Sequence, residues 1–250
     1  MSHIKSFTIL LALTFGFPWL VLVLMPHLSF RELHAVPYSE DELEFADGNV
    51  YPPGGAGRVA NGHEIYTSEG CAYCHTQMVR PTLVLGTDMW REGWAGRGPK
   101  WQGDEGKPTP TRMLRPEDYM EESYAHLGIQ RIGPDLSNVG WRITDEELVH
   151  RSLYSPRSVN SRSNMPGYES LYRVQRIGSG PAAKALKLEG EFSPEDGFEV
   201  VPTPRADALV SYLMSLKKDH LVPKELSGSN AATTTASAAP AAADGAPPKS

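Results

Sequence analysis

Cys71-Ala72-Tyr73-Cys74-His75 holds both cysteines of the chain and a histidine directly after the second. Two thiols three positions apart can each form a thioether with a vinyl group of one haem, and the adjacent imidazole is then held beneath the iron as its proximal ligand. The pentapeptide is a known attachment signature for covalent haem c. Zinc is a poorer match, because its sites take about four ligands and no second cysteine pair completes one. A thioredoxin-like dithiol normally accompanies a βαβ pattern, and none precedes residue 71. A redox dithiol and a bridging disulfide remain as alternatives to haem.

Upstream of the motif, Phe7 to Met25 is an uncharged apolar run. As a helix it would reach about 28 Å, close to the thickness of a hydrocarbon core. A cleaved signal peptide is the alternative, but its apolar core is shorter and ends in a small-x-small site, which Met25-Pro26-His27-Leu28 does not offer. The run is therefore read as a transmembrane anchor over residues 1–28. Pro18 removes a backbone hydrogen bond to Thr14 and is expected to kink the helix. Lys5 precedes the run, while Glu40, Asp41, Glu42, Glu44 and Asp47 follow it. By the positive-inside rule the N-terminus is then cytoplasmic, and the domain carrying the motif lies outside the cytoplasmic membrane. Residues 29–57, with Tyr51-Pro52-Pro53-Gly54-Gly55-Ala56-Gly57, disfavour regular structure and read as a linker or a surface-hugging strap.

The 250 residues, with 23 glycines and 21 prolines, allow one modest core with long connections. A net charge of -6 argues against a nucleic-acid partner and leaves room for a basic protein partner. Residues 58–220 are read as one domain and 221–250, rich in Ala, Thr, Ser and Pro, as a low-complexity tail without fixed structure.

A helix is expected from Arg58 into the motif, with Gly62 and Tyr66 on one face. A second is expected from Arg205 to Lys218, where Pro204 suits the first turn and Ala206, Leu209, Val210, Leu213 and Leu216 recur at helical spacing. Small c-type cytochromes cross their first and last helices near the haem, and Gly62/Tyr66 against Leu209/Tyr212/Leu213 suits that crossing; plain core packing predicts the same residues. Thr144-Asp145-Glu146-Glu147 has the form of a capping box that starts a short helix ending near Ser155. The expected architecture is mainly α: a single N-terminal transmembrane helix plus a class I-like c-type cytochrome domain with long irregular insertions.

Arg131-Ile132-Gly133-Pro134-Asp135-Leu136 resembles the Gly-Pro-x-Leu element of monohaem c-type cytochromes, in which the proline carbonyl accepts a hydrogen bond from the proximal histidine. The corresponding pair is Pro134 and His75, a bond that fixes the tautomer and raises ligand basicity; an ordinary turn is the competing reading. For the sixth iron ligand, Met165 in the Pro/Gly loop Ser163-Asn164-Met165-Pro166-Gly167-Tyr168 is preferred, with His126, His150 or another methionine as alternatives. Met78 is tied to the side of His75. Met/His ligation favours electron transfer over dioxygen chemistry. Arg80, Arg131 and Arg142 are candidates to pair with haem propionates, or else solvated surface arginines. The segment Thr82 to Gln130, with Trp90, Trp94 and Trp101, is an interface or a cover candidate. Residues 178–201 read as irregular.

Taken together, Gly62-x-Glu64-Ile65-Tyr66-x-x-Glu69-Gly70-Cys71-x-x-Cys74-His75-x-Gln77-Met78-x-Arg80-Pro81, Arg131-x-Gly133-Pro134-Asp135-Leu136 and Asn164-Met165-Pro166-x-Tyr168 resemble the membrane-anchored monohaem subunit (subunit II, CcoO or FixO) of cbb3-type cytochrome c oxidases. The Gln-Met-x-Arg-Pro extension makes the likeness more specific than the pentapeptide. The Thr82 to Gln130 insert departs from the family's usual spacer, and the 178–201 segment and the tail look like additions. The resemblance implies one covalent haem c, iron ligated by His75 and Met165, and a single-pass protein of the bacterial inner membrane with a periplasmic haem domain. It implies an electron relay in the respiratory chain, fed by a dihaem cytochrome c subunit or a soluble cytochrome c. The relay leads towards a haem-copper catalytic subunit in which dioxygen is reduced to water. Catalysis is then expected in another chain, because no residues here serve an open metal position. The small cytochrome subunit of nitric oxide reductases, a free-standing anchored electron shuttle and a haem-based sensor are the other classes compatible with an anchor plus one haem.

Overall fold

A computed structural model describes residues 2–31, 33–44, 48–80, 112–120, 122 and 124–227. The tryptophans of the Thr82 to Gln130 segment and the tail beyond residue 227 lie outside the described residues.

Helix α1 (His3–Phe30) is long and apolar enough to cross a membrane, with a mean hydropathy of 2.3 over its most apolar window, none of which is buried. It runs past both ends of the expected Phe7 to Met25 span. Its winding widens to π-helical turns at Ala12–Gly16 and Leu20–Leu24, on either side of Pro18. The proline ring crowds the carbonyl of Thr14 and brings no N–H, and a wider turn relieves that conflict. The Thr14 hydroxyl donates to the carbonyl of Leu10 at 2.9 Å.

Residues 33–44 and 48–57 belong to a strap. Strand β1 (Val36–Pro37) pairs antiparallel with β2 (Val50–Tyr51), placing Val36 opposite Tyr51. The Tyr38 hydroxyl donates to the carbonyl of Leu221 at 2.6 Å, and a Glu42 carboxylate oxygen accepts the backbone N–H of Lys224 at 2.8 Å. Tyr51 donates to Asp118 at 2.5 Å, and Arg112 grips the same carboxylate with two N–H groups at 2.5 and 2.7 Å. Arg112 also donates to the carbonyl of His220 at 3.1 Å. The first residues of the expected structureless tail thus have structure: Leu221 and Lys224 are bonded to the strap, and helix α7 closes the described chain at Lys224–Ser227.

The domain core is the crossing of helix α2 (Arg58–Ser68) and helix α6 (Pro204–Ser215). A Cβ on Gly62 would overlap the carbonyl of Ala208 and fall 2.6 Å from the Cβ of Tyr212, so only glycine allows the helix backbones to approach this closely. Tyr66 and Tyr212 meet with ring centroids 5.4 Å apart, and Leu209 is fully buried beside them, as the spacing of Gly62, Tyr66, Leu209 and Tyr212 predicts.

Helix α6 stops at Ser215, short of the expected Lys218. Leu216 and Lys218 turn instead to tertiary backbone bonds, the carbonyl of Leu216 accepting from Gly140 and the N–H of Lys218 donating to Ser137. Among the described residues between the crossing helices are three short α-helices: α3 (Val139–Arg142), α4 (Glu146–Tyr154) and α5 (Pro156–Val159). Asp145, rather than Thr144, caps α4, accepting the N–H of Glu147 at 3.0 Å.

The reading of residues 178–201 as irregular is corrected in part. Strand β3 (Tyr172–Arg176) pairs antiparallel with β4 (Phe198–Pro202), from Tyr172 opposite Pro202 to Arg176 opposite Phe198. Val200 of β4 is buried in the core, which explains why this strand forms despite its glutamate and proline.

Candidate functional site

Helix α2 ends at Ser68; Gly70 follows with a φ of 73°, open to glycine at little cost, and the chain tightens into a 3₁₀ turn over Cys71–Tyr73. The N–H of His75 reaches the carbonyl of Cys71 at 3.0 Å, which folds the pentapeptide into one compact loop. Cys71 is buried in the core cluster and Cys74 is half exposed; neither is bridged. Burial pushes the Cys71 thiol up to about 11. A redox dithiol works through the opposite shift, a depressed thiol pKa.

The segment 126–136 lies alongside this loop. Gln77 donates its N–H to the carbonyl of His126 at 3.1 Å, Ile129 to Ala72 at 3.1 Å, Gly133 to Cys74 at 3.0 Å and Leu136 to Thr76 at 2.8 Å. These bonds bring Pro134 to His75, whose Nδ1 stands 2.7 Å from the Pro134 carbonyl. A carbonyl can only accept, so Nδ1 carries the proton and Nε2 keeps its lone pair. Burial holds the imidazole below its ordinary pKa, and the Arg142 charge adds to this, against the Pro134 hydrogen bond and the Asp135 carboxylate. A neutral imidazole with a fixed tautomer is the form that binds a metal ion. Gly133 lies directly against the ring, where a Cβ would fall 2.7 Å from Nδ1.

Asp135, with no exposed surface, fastens this arrangement. Its carboxylate accepts the Thr76 hydroxyl at 2.5 Å, the Met78 N–H at 2.9 Å and the Ser137 N–H at 2.9 Å. Arg131 stands 3.6 Å away and donates to the carbonyl of Met78 at 2.7 Å. Arg142 donates to the carbonyl of Asp135 at 2.6 Å, and its burial pushes the guanidinium down to about 10. Both arginines therefore converge on the His75 side of the site, and Arg80 is half-buried at the end of the same stretch. Gln77, fully buried, exchanges hydrogen bonds with the Tyr212 hydroxyl at 3.0 and 3.1 Å, joining the post-motif extension to the helix crossing. Sequence reasoning did not assign Asp135 this role. Its bond to Ser137 is a turn signal readable in Pro-Asp-x-Ser, whereas the bonds to Thr76 and Met78 span more than fifty residues.

Met165 is half-buried and packs on the core cluster that includes Cys71. Its loop is pinned on several sides. Ser163 accepts the N–H of Met165 at 3.2 Å, and Tyr168 donates its N–H to the carbonyl of Leu153 at 2.8 Å. Gly167 fits so tightly beneath α4 that a Cβ would fall 2.7 Å from the carbonyl of Tyr154. Tyr168, like Met165, packs on the core cluster that includes Cys71, which brings the methionine loop and the cysteine loop to one core.

The two alternative histidines have other partners. His150 meets the Tyr172 hydroxyl at 3.1 Å and Asp207 at 3.5 Å, one with each ring nitrogen. His126 sits in an aromatic cluster, its ring centroid 4.5 Å from that of His63 and 5.0 Å from that of Tyr66. Among the described residues, no three His, Cys, Asp or Glu side chains gather in a group that could hold a metal ion by themselves.

The donor set fits a covalent haem: two unbridged thiols on one tight turn, an imidazole with its tautomer fixed, and a glycine cradle that a single Cβ would fill. No family model matches the chain, and no curated protein matches it.

Proposed function

We propose that the chain carries one covalent haem c on Cys71 and Cys74 and transfers electrons, as the membrane-anchored monohaem subunit of a haem-copper terminal oxidase of the cbb3 type. The observation that supports the haem reading is the 2.7 Å contact between His75 Nδ1 and the Pro134 carbonyl, which leaves Nε2 unprotonated, with a lone pair that suits an iron ligand. Haem bound there supplies a one-electron couple. The protein's part would be to hold it: His75 and Met165 would ligate the iron, Gly133 gives the His75 ring its room, and Arg131 and Arg142 would supply positive charge to the propionates, with Arg80 as the third candidate. The domain is read as class I-like from the crossing of α2 and α6 at Gly62.

In this reading α1 anchors the chain in the cytoplasmic membrane with the haem domain on the outer side, following the charge asymmetry of its flanks. The partners are the haem-copper subunit, where dioxygen chemistry takes place, and a dihaem cytochrome subunit or soluble cytochrome as donor. The strap favours a fixed subunit over a free shuttle, because Tyr38, Glu42 and Tyr51 bind the chain after α1 to the domain and leave no long tether for wandering.

The test has two stages. The chain, matured in a host that attaches haem c, should keep haem through a denaturing gel, and Cys71→Ala/Cys74→Ala should lose it. Purified in mild detergent from its native membrane, it should bring a haem-copper subunit with it. Covalent haem without such a partner would favour the shuttle, and absence of covalent haem would overturn the whole reading.

A further inference from the structure

Resting on the function proposed above, we propose that the strip 124–134, together with Tyr73, is the docking face for the haem-copper subunit, and that it meets an uncharged, apolar surface there in a permanent contact. Large apolar side chains stand exposed along it at Tyr73 (65%), Tyr124, Leu127, Ile129 (71%) and Ile132 (63%). Single exposed apolar residues are ordinary on a protein surface, whereas a continuous patch marks a contact. Backbone hydrogen bonds lay this strip along the motif turn: Gln77 donates to His126, Ile129 to Ala72 and Gly133 to Cys74. A partner seated on the strip is therefore seated against the turn that carries both thiols.

Both tyrosines of this face are set in advance. The Tyr124 hydroxyl stands 3.0 Å from that of Thr67, and its ring meets His126 edge-on with centroids 5.0 Å apart. The Tyr73 ring lies over Gly70, 3.1 Å from where a Cβ there would sit. Tyrosines that are exposed yet fixed bind a partner at little cost in conformational freedom.

Charge decides between the possible occupants. The one ionised side chain of the strip, Arg131, is only 14% exposed, donating to the Met78 carbonyl and standing 3.6 Å from Asp135, and His126 is buried. A soluble donor that docks and leaves relies on charge for fast encounter, and this strip presents none. A surface that lies on lipid carries Lys or Arg beside its apolar residues, and here the single cation is turned inward. The apolar, aromatic-rich contact of a permanent complex is what fits. The strap acts in the same direction, because it binds the chain after α1 to the domain and keeps this face within reach of a membrane-embedded partner.

The experiment uses the full-length holoprotein in its native membrane. A photoreactive benzoylphenylalanine in place of Ile129 should cross-link to the haem-copper subunit on illumination. A product with a second copy of this chain, with a soluble donor or with lipid alone would overturn the assignment. In parallel, Ile129→Asp/Ile132→Asp is compared with Ile177→Asp, which alters an exposed apolar residue beyond the end of β3. The strip variant should keep its covalent haem and lower the haem-copper subunit recovered in mild detergent roughly tenfold, the scale of losing a central contact. Ile177→Asp should leave the recovery as in wild type. Full recovery in the strip variant, or an equal loss in both variants, would overturn the assignment. Slower reduction of the strip variant by a soluble cytochrome, with the subunit still recovered, would give the face to the donor and overturn it too. Wild-type chain that brings no haem-copper subunit would sink the functional reading itself, a failure seen without any substitution.

Discussion

The imidazole of His75 and the α-carbon of Gly133 stand so close that a methyl group on Gly133 would fall 2.7 Å from Nδ1, the nitrogen that faces the Pro134 carbonyl. Gly133→Ala therefore cannot keep both the ring and its hydrogen bond in place. Overpacking of this kind costs about 1–3 kcal/mol, to be read as a lower urea midpoint at unchanged slope. Pro134→Ala should be mild by comparison, because the acceptor is a backbone carbonyl that alanine also carries. Equal effects of the two substitutions would contradict the geometry.

Gly62→Ala sets two effects against each other. Alanine gains about 1 kcal/mol over glycine in a helix interior. At the α2–α6 crossing the same methyl would overlap the Ala208 carbonyl and press on the Tyr212 Cβ at 2.6 Å. Neither neighbour is a flexible side-chain end, so the helices must separate along the core. A net loss of roughly 2 kcal/mol or more is expected in thermal or chemical unfolding. A stabilised variant would mean that the helices do not cross here.

Removing the Asp135 carboxylate leaves the Thr76 hydroxyl and the Met78 and Ser137 N–H groups without their acceptor, with Arg131 beside them. Asp135→Ala is expected to cost about 3–5 kcal/mol, the scale for breaking a buried charged network from one side. Amide hydrogen exchange should quicken first at Met78 and Ser137. A change confined to distant amides would count against this role.

The aromatic cluster around His126 gives the apoprotein a pH dependence. Burial, the neighbouring His63 and the Lys218 charge push His126 down to about 4. In the unfolded chain an ordinary histidine titrates near 6.5, so the unfolded state binds the extra proton over the interval between. The contribution to stability is fully present above about pH 6.5 and is lost as pH falls towards about 4. Lys218 is held by its ion pair with Glu122, Tyr66 and Tyr124 line the same space, and Thr67 stands 3.2 Å from His126 Nε2. His126→Gln should flatten the slope of stability against pH across this interval, followed by urea titration at several pH values. An unaltered slope would place the acid sensitivity elsewhere.

The elements legible in the sequence were those whose cause is local. The α1 span, the α2 and α6 faces and the start of α4 each announce themselves by composition, spacing or a capping residue. The Pro134–His75 pair was legible because Gly-Pro-x-Leu is a short motif. What escaped is non-local. Strand β4 forms because Val200 finds a core to enter, α6 ends early because Leu216 and Lys218 find partners at Gly140 and Ser137, and Asp135 joins stretches far apart in the chain. The strap belongs to the same class. Its prolines and glycines do disfavour regular structure, and it is ordered by single side chains, Tyr38, Glu42 and Tyr51, each reaching a distant partner.

The strap also limits reach. Residues 31–35 separate the end of α1 from β1, and fully extended they span at most about 18 Å. With α1 in a bilayer, that short leash and the bonds to Leu221, Lys224 and Asp118 confine the two thiols to a narrow range of heights above the lipid. Any molecule that meets the Cys71–His75 loop must bring its own contact surface to that height.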